Sequence, residues 1–126
     1  MLARHDRPAA LALVHPEAEF IDVKRAAQAR LPLYGTFRGR AGAEAFLQGL
    51  ADAFQTEQFE HEGLLGDEHT AVAWGSFRHR VRATGRLFES DWALVCRVRD
   101  GLIAFHQFYE DTEALERSFN LLPDRG

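Results

Sequence analysis

The spacing of apolar residues changes along the chain from a helical period to a strand period. Between residues 41 and 55 apolar side chains recur every three or four positions. This spacing predicts an amphipathic helix with one apolar face turned inward. The stripe on that face consists of Ala43, Phe46, Leu47, Leu50 and Phe54. From residue 56 onward the pattern alternates instead, which is typical of strands with one buried face.

The clearest alternation covers residues 88–98. One face carries Phe88, Trp92, Leu94, Cys96 and Val98, and the other carries Glu89, Asp91, Arg97 and Arg99. Turn signals at Gly85-Arg86 and Asp100-Gly101 bound this strand. They predict a meander of three long strands over residues 69–84, 88–98 and 102–110. Residues 56–65 lead into it through a turn cluster at residues 66–69.

The two ends of the chain predict shorter elements. Asp6 is positioned to cap a short helix that Pro16 closes, and Glu19–Val23 predicts a short strand. Residues 24–30 suggest one loose helical turn, with the option that residues 24–31 act as a lid, and residues 31–39 suggest a bend and a short extended piece. The last helix is expected over residues 112–119, capped by Asp111 or Thr112.

Helices followed by a run of strands favour an α+β fold over an alternating α/β fold. We expect a single domain over residues 1–126 in which helices cover one face of a curved antiparallel sheet. A sheet of this kind must curve to close on a core, and the mouth of the curve is a natural ligand site.

Composition excludes several classes of function. The net charge of −4 disfavours a nucleic-acid partner, and a single cysteine, Cys96, rules out an internal disulfide. No apolar run approaches the ~20 residues that span a bilayer, and the N-terminus is charged where a signal peptide is apolar. We therefore expect no membrane partner and a cytoplasmic location. Ten phenylalanines, two tryptophans and two tyrosines indicate either a cavity walled by rings or a ring-rich core.

Three stretches carry a resemblance to a known family: PLYGTFRGRAG at residues 32–42, WALVCRVRDGLI at 92–103 and FYEDTEAL at 108–115. Over residues 5–119 the chain resembles the SnoaL-like branch of the nuclear-transport-factor-2-like superfamily, which also holds ketosteroid isomerase, limonene epoxide hydrolase and polyketide cyclases. The resemblance implies a cone-shaped, cystatin-like α+β roll with a deep apolar pocket, and often a homodimer. The family's long first helix is short here, which implies a pocket that is more open or closed by a partner chain.

The resemblance also suggests which residues carry chemistry. Asp22 falls where ketosteroid isomerase carries its general base. The isomerase's tyrosine donor on the first helix is absent, and its acidic donor corresponds to Leu94, which cannot donate a hydrogen bond. The catalytic Asp that cyclases and epoxide hydrolases carry on the last strand corresponds to Phe108. A slip of one or two residues would put Glu110 there instead.

Two histidines are candidates for acid–base chemistry on the same pocket wall. His106 paired with Asp22 would form a proton-transferring dyad, and His79 is a second candidate. The alternative is that both are polar spots on a cavity wall. The chain has no His-x-His or Cys-x-x-Cys spacing, so we expect no metal site, and no phosphate loop or dinucleotide fingerprint points to a cofactor.

Several apolar and aromatic side chains are expected to bind a flat, hydrophobic small molecule, although core packing is the alternative for each. The predicted ligand-binding residues, all apolar or aromatic except the last, are Phe20, Tyr34, Phe54, Phe77, Trp92, Leu94, Phe108 and Glu110. On the opposite face Arg78, Arg80 and Arg82 form a stripe that Glu89 and Asp91 are expected to neutralise across the ladder.

Two functions are consistent with these features. The first is a small cofactor-free isomerase, cyclase or hydrolase acting on a hydrophobic molecule, with Asp22 as the base and His106 or His79 as its partner. The second is a non-catalytic ligand-binding or dimerisation module of the same fold.

Overall fold

Residues 7–124 of the computed structural model are described here, and they form three helices around one six-stranded sheet. The elements are α1 (Arg7–Ala12), β1 (Val14–Asp22), β2 (Thr36–Arg38), α2 (Gly39–Ala53), β3 (Phe54–Gly66), β4 (Thr70–Val81), β5 (Leu87–Arg99), β6 (Leu102–Glu110) and α3 (Thr112–Ser118). This arrangement confirms the predicted α+β class. None of the helices in this part of the chain is long and apolar enough to cross a membrane.

The strands lie in the order β2-β1-β6-β5-β4-β3, so the last four strands form an antiparallel meander. β5 and β6 lie where the alternation and the two turn signals predicted them. One pair departs from the expected antiparallel arrangement, because β1 runs parallel to β6. The local pattern of residues 14–22 shows that the strand is buried, but not which strand lies beside it or in which direction that strand runs.

The N-terminal segment was predicted wrongly in one respect. Pro16 does not close a helix but lies inside β1, and α1 has already ended at Ala12. β1 tolerates the proline because its register against β6 shifts between Val14 and Glu19, so the missing N–H of Pro16 falls at an irregularity in the ladder. The predicted cap, Asp6, lies outside the described residues.

α2 covers the sheet with the predicted stripe. Ala43 and Phe46 are buried, and Phe46 packs on Phe20 of β1 with ring centroids 5.7 Å apart. Phe54, expected at the end of this helix, is instead the first residue of β3, although its N–H still donates to the carbonyl of Leu50. Residues 24–30 form no helix, and a single turn ends the segment, in which the Leu31 N–H donates to the Gln28 carbonyl at 3.3 Å. α3 is capped as predicted, since the Asp111 Oδ1 accepts a hydrogen bond from the Ala114 N–H at 3.0 Å.

The arginine stripe on the outer face has a different partner from the one expected. Glu57 of β3 forms ion pairs with Arg78 and with Arg80, each at 3.1 Å, whereas Arg82 donates to the carbonyl of Ala51. Glu57 reaches both guanidinium groups because β3 is the neighbour of β4 on that side of the sheet. The stripe is therefore part of a solvated ion-pair network across two strands.

Candidate functional site

A cavity of about 440 Å³ lies between α2 and the inner face of the sheet. Its wall is mostly apolar, and Leu64, which lines it, is 71% exposed, so the cavity opens to solvent beside the end of β3. Every strand except β2 contributes side chains to the wall, as do α1 and α2. The polar or ionisable side chains among the lining residues are Arg7, Asp22, Thr56, His61, His79, Cys96, His106 and Glu110.

Asp22 is held at the cavity wall by the way β1 ends. The strand terminates in a tight turn in which the Lys24 N–H donates to the Asp22 carbonyl at 2.7 Å, while the Val23 N–H donates to Phe108 of β6 at 2.8 Å. Val23 has a φ of 60°, which is strained for a β-branched residue. The strain fixes the direction of the chain at this point, and Asp22 is 2% exposed.

Glu110 faces Asp22 from the last position of β6. Side chains alternate along a strand, so Glu110 lies on the same face as His106 and Phe108. The two carboxyl groups are close enough to share a hydrogen bond. Both Asp22 oxygens and the Glu110 Oε2 are inaccessible to solvent, and no other described residue supplies a hydrogen-bond partner to them.

Burial changes the proton affinity of both acids. Loss of solvation raises the pKa of Asp22 to about 7, partly offset by the hydrogen bond with Glu110. Loss of solvation and the negative charge of Asp22 raise the pKa of Glu110 well above its usual range. Two carboxyl groups at this separation do not both ionise readily, so the pair holds one shared proton near neutral pH.

His106 lies four residues before Glu110 on β6 and belongs to an aromatic cluster. Its ring stacks on Phe20 at 4.7 Å and meets the edge of Phe46 at 5.8 Å. Burial lowers the pKa of His106 to about 4, so the imidazole is neutral at neutral pH. Its Nδ1 has no partner among the described residues, and Asp22 is not bonded to it. The predicted Asp22–His106 pair is thus replaced by Asp22–Glu110, with His106 as a separate neutral group on the same wall.

His79 occupies the side of the cavity formed by β3 and β4. It lies between the rings of Phe54 and Phe77, at 4.7 and 4.2 Å, and its Nδ1 is 3.0 Å from the Thr56 Oγ1. Burial lowers the pKa of His79 to about 4 as well. Among residues 7–124, no group of three His, Cys, Asp or Glu side chains is placed to hold a metal ion.

Trp92 is the central ring of the sheet wall. It stacks between Phe59 at 5.0 Å and Phe108 at 5.4 Å, and its indole N–H donates to the carbonyl of Ser76 at 3.3 Å. The backbone therefore uses the polar atom of Trp92, and the ring offers apolar surface to the cavity.

The structure brings most of the predicted site residues to the cavity. The lining includes Asp22, His79 and His106, and the predicted contact residues Phe20, Phe54, Trp92, Leu94, Phe108 and Glu110. Tyr34 and Phe77 are not part of it. Tyr34 is 1% exposed and donates its hydroxyl to Glu116 of α3 at 2.9 Å, and Phe77 is buried behind His79 in the core.

Sequence reasoning missed the contribution of β3 and understated that of Glu110. Thr56, Phe59, His61 and Leu64 line the cavity, yet their strand is largely exposed and has an irregular burial pattern. Two register shifts in the β3–β4 pair break the simple alternation that would have revealed them. The strand alternation did indicate that Glu110 faces the cavity, because Glu110 lies two residues after Phe108 and four after His106, on the same face of β6.

Comparison with solved structures supports the fold assignment. A nuclear-transport-factor-2-like protein from Burkholderia xenovorans has 30% identity and a TM-score of 0.81, over 93% of this chain and 86% of that chain. A second, from Burkholderia thailandensis, has 26% identity and a TM-score of 0.76, over 95% and 88%. A protein from Jannaschia assigned to the SnoaL-like polyketide cyclases has 14% identity and a TM-score of 0.72, over 93% and 80%, and shares the fold.

A search of the curated proteins finds no match to this chain. The sequence profile of the SnoaL-like domain matches residues 1–106, which is most of the chain. With the α+β fold and its structural neighbours, this match assigns the chain to the SnoaL-like domain family.

Proposed function

We propose that the cavity binds a hydrophobic small molecule and that the Asp22–Glu110 pair moves a proton on it without a cofactor. The reaction class would be that of an isomerase, cyclase or hydrolase. The observation that carries the proposal is the unpartnered Asp22 carboxyl group, 2% exposed, which lines an open apolar cavity beside a second buried acid. A buried carboxyl group without a structural partner costs stability, so its position requires an explanation other than folding.

The electrostatics of the pair suit proton transfer. A base works best when its pKa lies near the working pH, and burial raises the pKa of Asp22 to about 7. Asp22 would accept a proton from a carbon next to a carbonyl group of the ligand and return it at a second position. Glu110 would retain the shared proton and hydrogen-bond the Asp22 carboxylate. Apolar walls would keep water away from the reacting atoms.

The proposed mechanism differs from that of ketosteroid isomerase at the oxyanion donor. Leu94 lines the cavity where that enzyme carries an acidic donor, and it cannot donate a hydrogen bond. On β6, which carries Glu110, the neutral His106 ring can donate to a developing oxyanion, whereas the Glu110 proton is engaged with Asp22. We therefore place His106 as the group that orients the ligand oxygen, and not as the partner of the base.

A non-catalytic ligand-binding module is the second candidate. It is favoured by Phe108, an inert ring at the position where the cyclases and epoxide hydrolases carry a catalytic Asp, and by two buried histidines whose pKa is lowered to about 4. Such a protein would bind the same ligands and leave their C–H bonds intact.

Deuterium exchange into a small bicyclic ketone separates these two functions. The probe is 2-tetralone in deuterium oxide, followed by proton NMR, with binding measured separately by fluorescence of a Trp74→Phe variant in which Trp92 is the remaining tryptophan. We expect the protein to accelerate exchange next to the carbonyl, and Asp22→Asn to reduce that acceleration by about a hundredfold or more. Asp52→Asn, which alters an exposed acid on α2, is the matched control.

Exchange at the wild-type rate in Asp22→Asn would contradict the assignment of the base. Binding of 2-tetralone with no exchange above the buffer rate would favour the non-catalytic module.

A further inference from the structure

The Asp22 and Glu110 carboxyl groups form no ion pair with any cation in the described part of the chain. The two Asp22 oxygens and the Glu110 Oε2 are buried, lack donors and lie at one place on the cavity wall. Buried carboxylates are normally paired with a base or bonded to several N–H groups. Here both residues belong to the cavity wall, and no described donor contacts these oxygens.

The nearest basic side chains are committed elsewhere. Lys24, two residues after Asp22, pairs with Glu116 at 3.5 Å and lies over the Tyr34 ring at 4.9 Å. Arg25 bonds Gln107 at 3.4 Å, and Arg7 donates to Gln48 on α2 at 2.7 Å. Each of these side chains therefore already has a polar or anionic partner, and none is bonded to the carboxyl pair.

The His106, His79 and Cys96 side chains on the cavity wall do not supply a positive charge. Burial keeps His106 and His79 neutral at physiological pH, since it lowers the pKa of each to about 4. Burial also raises the pKa of the Cys96 thiol to about 11, so that it is uncharged. The other titratable or charged groups on the cavity wall are His106 on β6, Cys96 on β5, His79 on β4, His61 on β3 and Arg7 on α1. Outside the wall, the Tyr34 hydroxyl interacts electrostatically with both acids, and Lys24 lies over the Tyr34 ring.

We infer that the cavity accepts hydrophobic ligands that carry one basic nitrogen, and that the ammonium group binds between Asp22 and Glu110. A primary ammonium group has three N–H donors, and once the shared proton has left, the two Asp22 oxygens and the Glu110 Oε2 are three acceptors that no other described residue satisfies. The hydrocarbon part of the ligand would occupy the apolar cavity beside Trp92 and Phe108. The inference rests on the proposed function only in using the same pocket.

Binding of such a ligand would release a proton. A cation beside the pair favours the ionised form of both acids, so the shared proton leaves to the buffer when the ammonium group arrives. Affinity should therefore increase as the pH rises through neutrality, as long as the amine itself stays protonated. The affinity of a neutral ligand of the same shape should not increase with pH in this way, because its binding releases no proton.

Three probes with the same ring system test the inference by calorimetry at about pH 8. They are 2-aminotetralin, 2-tetralol and tetralin-2-carboxylate, which carry a positive, neutral and negative group at the same position. We expect the amine to bind about tenfold more tightly than the alcohol, and the carboxylate to bind most weakly. Titration in two buffers of different ionisation enthalpy should show about one proton released per amine bound.

The double variant Asp22→Asn/Glu110→Gln should lose the preference for the amine and bind the alcohol at least as well, whereas Asp52→Asn should keep it. Equal affinities for amine and alcohol in the wild type, or a preference that survives in the double variant, would overturn the inference. Since the readout is binding, failure here leaves the exchange of 2-tetralone as a separate test of proton transfer. If the wild type binds the amine preferentially but does not accelerate exchange of 2-tetralone, the proposed proton transfer is wrong and the ammonium-binding site stands.

Discussion

Asp22 should lower the stability of the protein as the pH rises, which is the opposite of what an ordinary paired carboxylate does. Its pKa is raised from 3.8 to about 7, so the folded state binds more protons than the unfolded chain between these values. The free energy of unfolding contributed by this residue therefore falls as the pH rises from about 4 to about 7. Above that range the full penalty of a buried negative charge is present.

We predict that Asp22→Asn raises the free energy of unfolding by about 1–3 kcal/mol at about pH 8 and by much less at about pH 4. The measurement is urea unfolding of both proteins across this pH range. His79 and His106 have lowered pKa values and act in the opposite direction, since they favour the folded state as the pH rises from about 4 to about 6.5. Subtracting the free energy of unfolding of the wild type from that of the variant cancels the contribution of the two histidines. If this difference does not change with pH, the raised pKa of Asp22 is contradicted.

Individual site residues could be predicted from sequence where strand alternation was regular. Trp92 and Leu94 on β5, and His106 and Phe108 on β6, line the cavity as their spacing indicated. The pairing of Asp22 with Glu110 could not be predicted in this way. It depends on the parallel contact between β1 and β6, whose residues lie more than eighty positions apart.

β4 requires a glycine at the point where it passes Trp92. Gly75 is paired with Trp92 across the β4–β5 ladder, and a Cβ at residue 75 would lie 1.8 Å from the Glu60 carbonyl oxygen and 3.0 Å from the Trp92 ring. The first contact is with backbone, which cannot move without breaking the β3–β4 pair. The glycine therefore allows β3, β4 and the central ring of the cavity wall to approach closely.

We predict that Gly75→Ala destabilises the protein by about 2–4 kcal/mol and changes the Trp92 environment, measured by urea unfolding and by fluorescence. Gly49→Ala is the matched control. Gly49 lies within α2, and a Cβ there would meet only the Leu33 side chain, at 3.9 Å. The substitution should therefore stabilise the helix by about 0.5–1 kcal/mol. Equal effects of the two substitutions would show that the close approach at Gly75 does not exist.

At the scale of elements, the sequence predicted α2, α3, β5 and β6 well because each has a strong periodic pattern between clear turn or cap signals. Prediction was weaker for β1 and β3. A proline lies within β1, and register shifts interrupt the pairing of both strands, so neither shows a regular alternation. These irregular strands supply Asp22, Thr56 and Phe59 to the cavity wall.

The outer face of the sheet presents an apolar row that suits association of two copies. Trp74 and Tyr109 are 38% and 43% exposed, and both pair with Ala93 of β5 across adjacent ladders. The homodimer that the family resemblance implied stays a prediction, and we propose this face as its contact surface. Sedimentation analysis should show a dimer that Trp74→Glu and Tyr109→Glu each weaken, whereas Leu122→Glu, at another exposed apolar residue, should not. A monomer at all concentrations would contradict the proposal.

The family assignment limits function to what the cavity can do, because the SnoaL-like fold is shared by proteins of different activities. The proposed chemistry and the proposed ligand both depend on one physical property: two buried carboxyl groups on the wall of an apolar cavity share a proton near neutral pH. The cavity and the Asp22 oxygens without another donor are the observations behind this claim, and the proposed preference for a cationic nitrogen follows from it.

Carbon-13 NMR of the side-chain carboxyl groups tests this claim most directly. Spectra of the wild type, Asp22→Asn and Glu110→Gln would assign the two signals and follow them with pH. We predict that the Asp22 carbon titrates near pH 7 and that the Glu110 carboxyl group remains protonated well above its ordinary range. Asp22→Asn should lower the pKa of Glu110, because it removes a neighbouring negative charge, whereas Glu110→Gln should not lower the pKa of Asp22. Two independent titrations near pH 4 would show that the acids are solvated and separate, and would contradict the account.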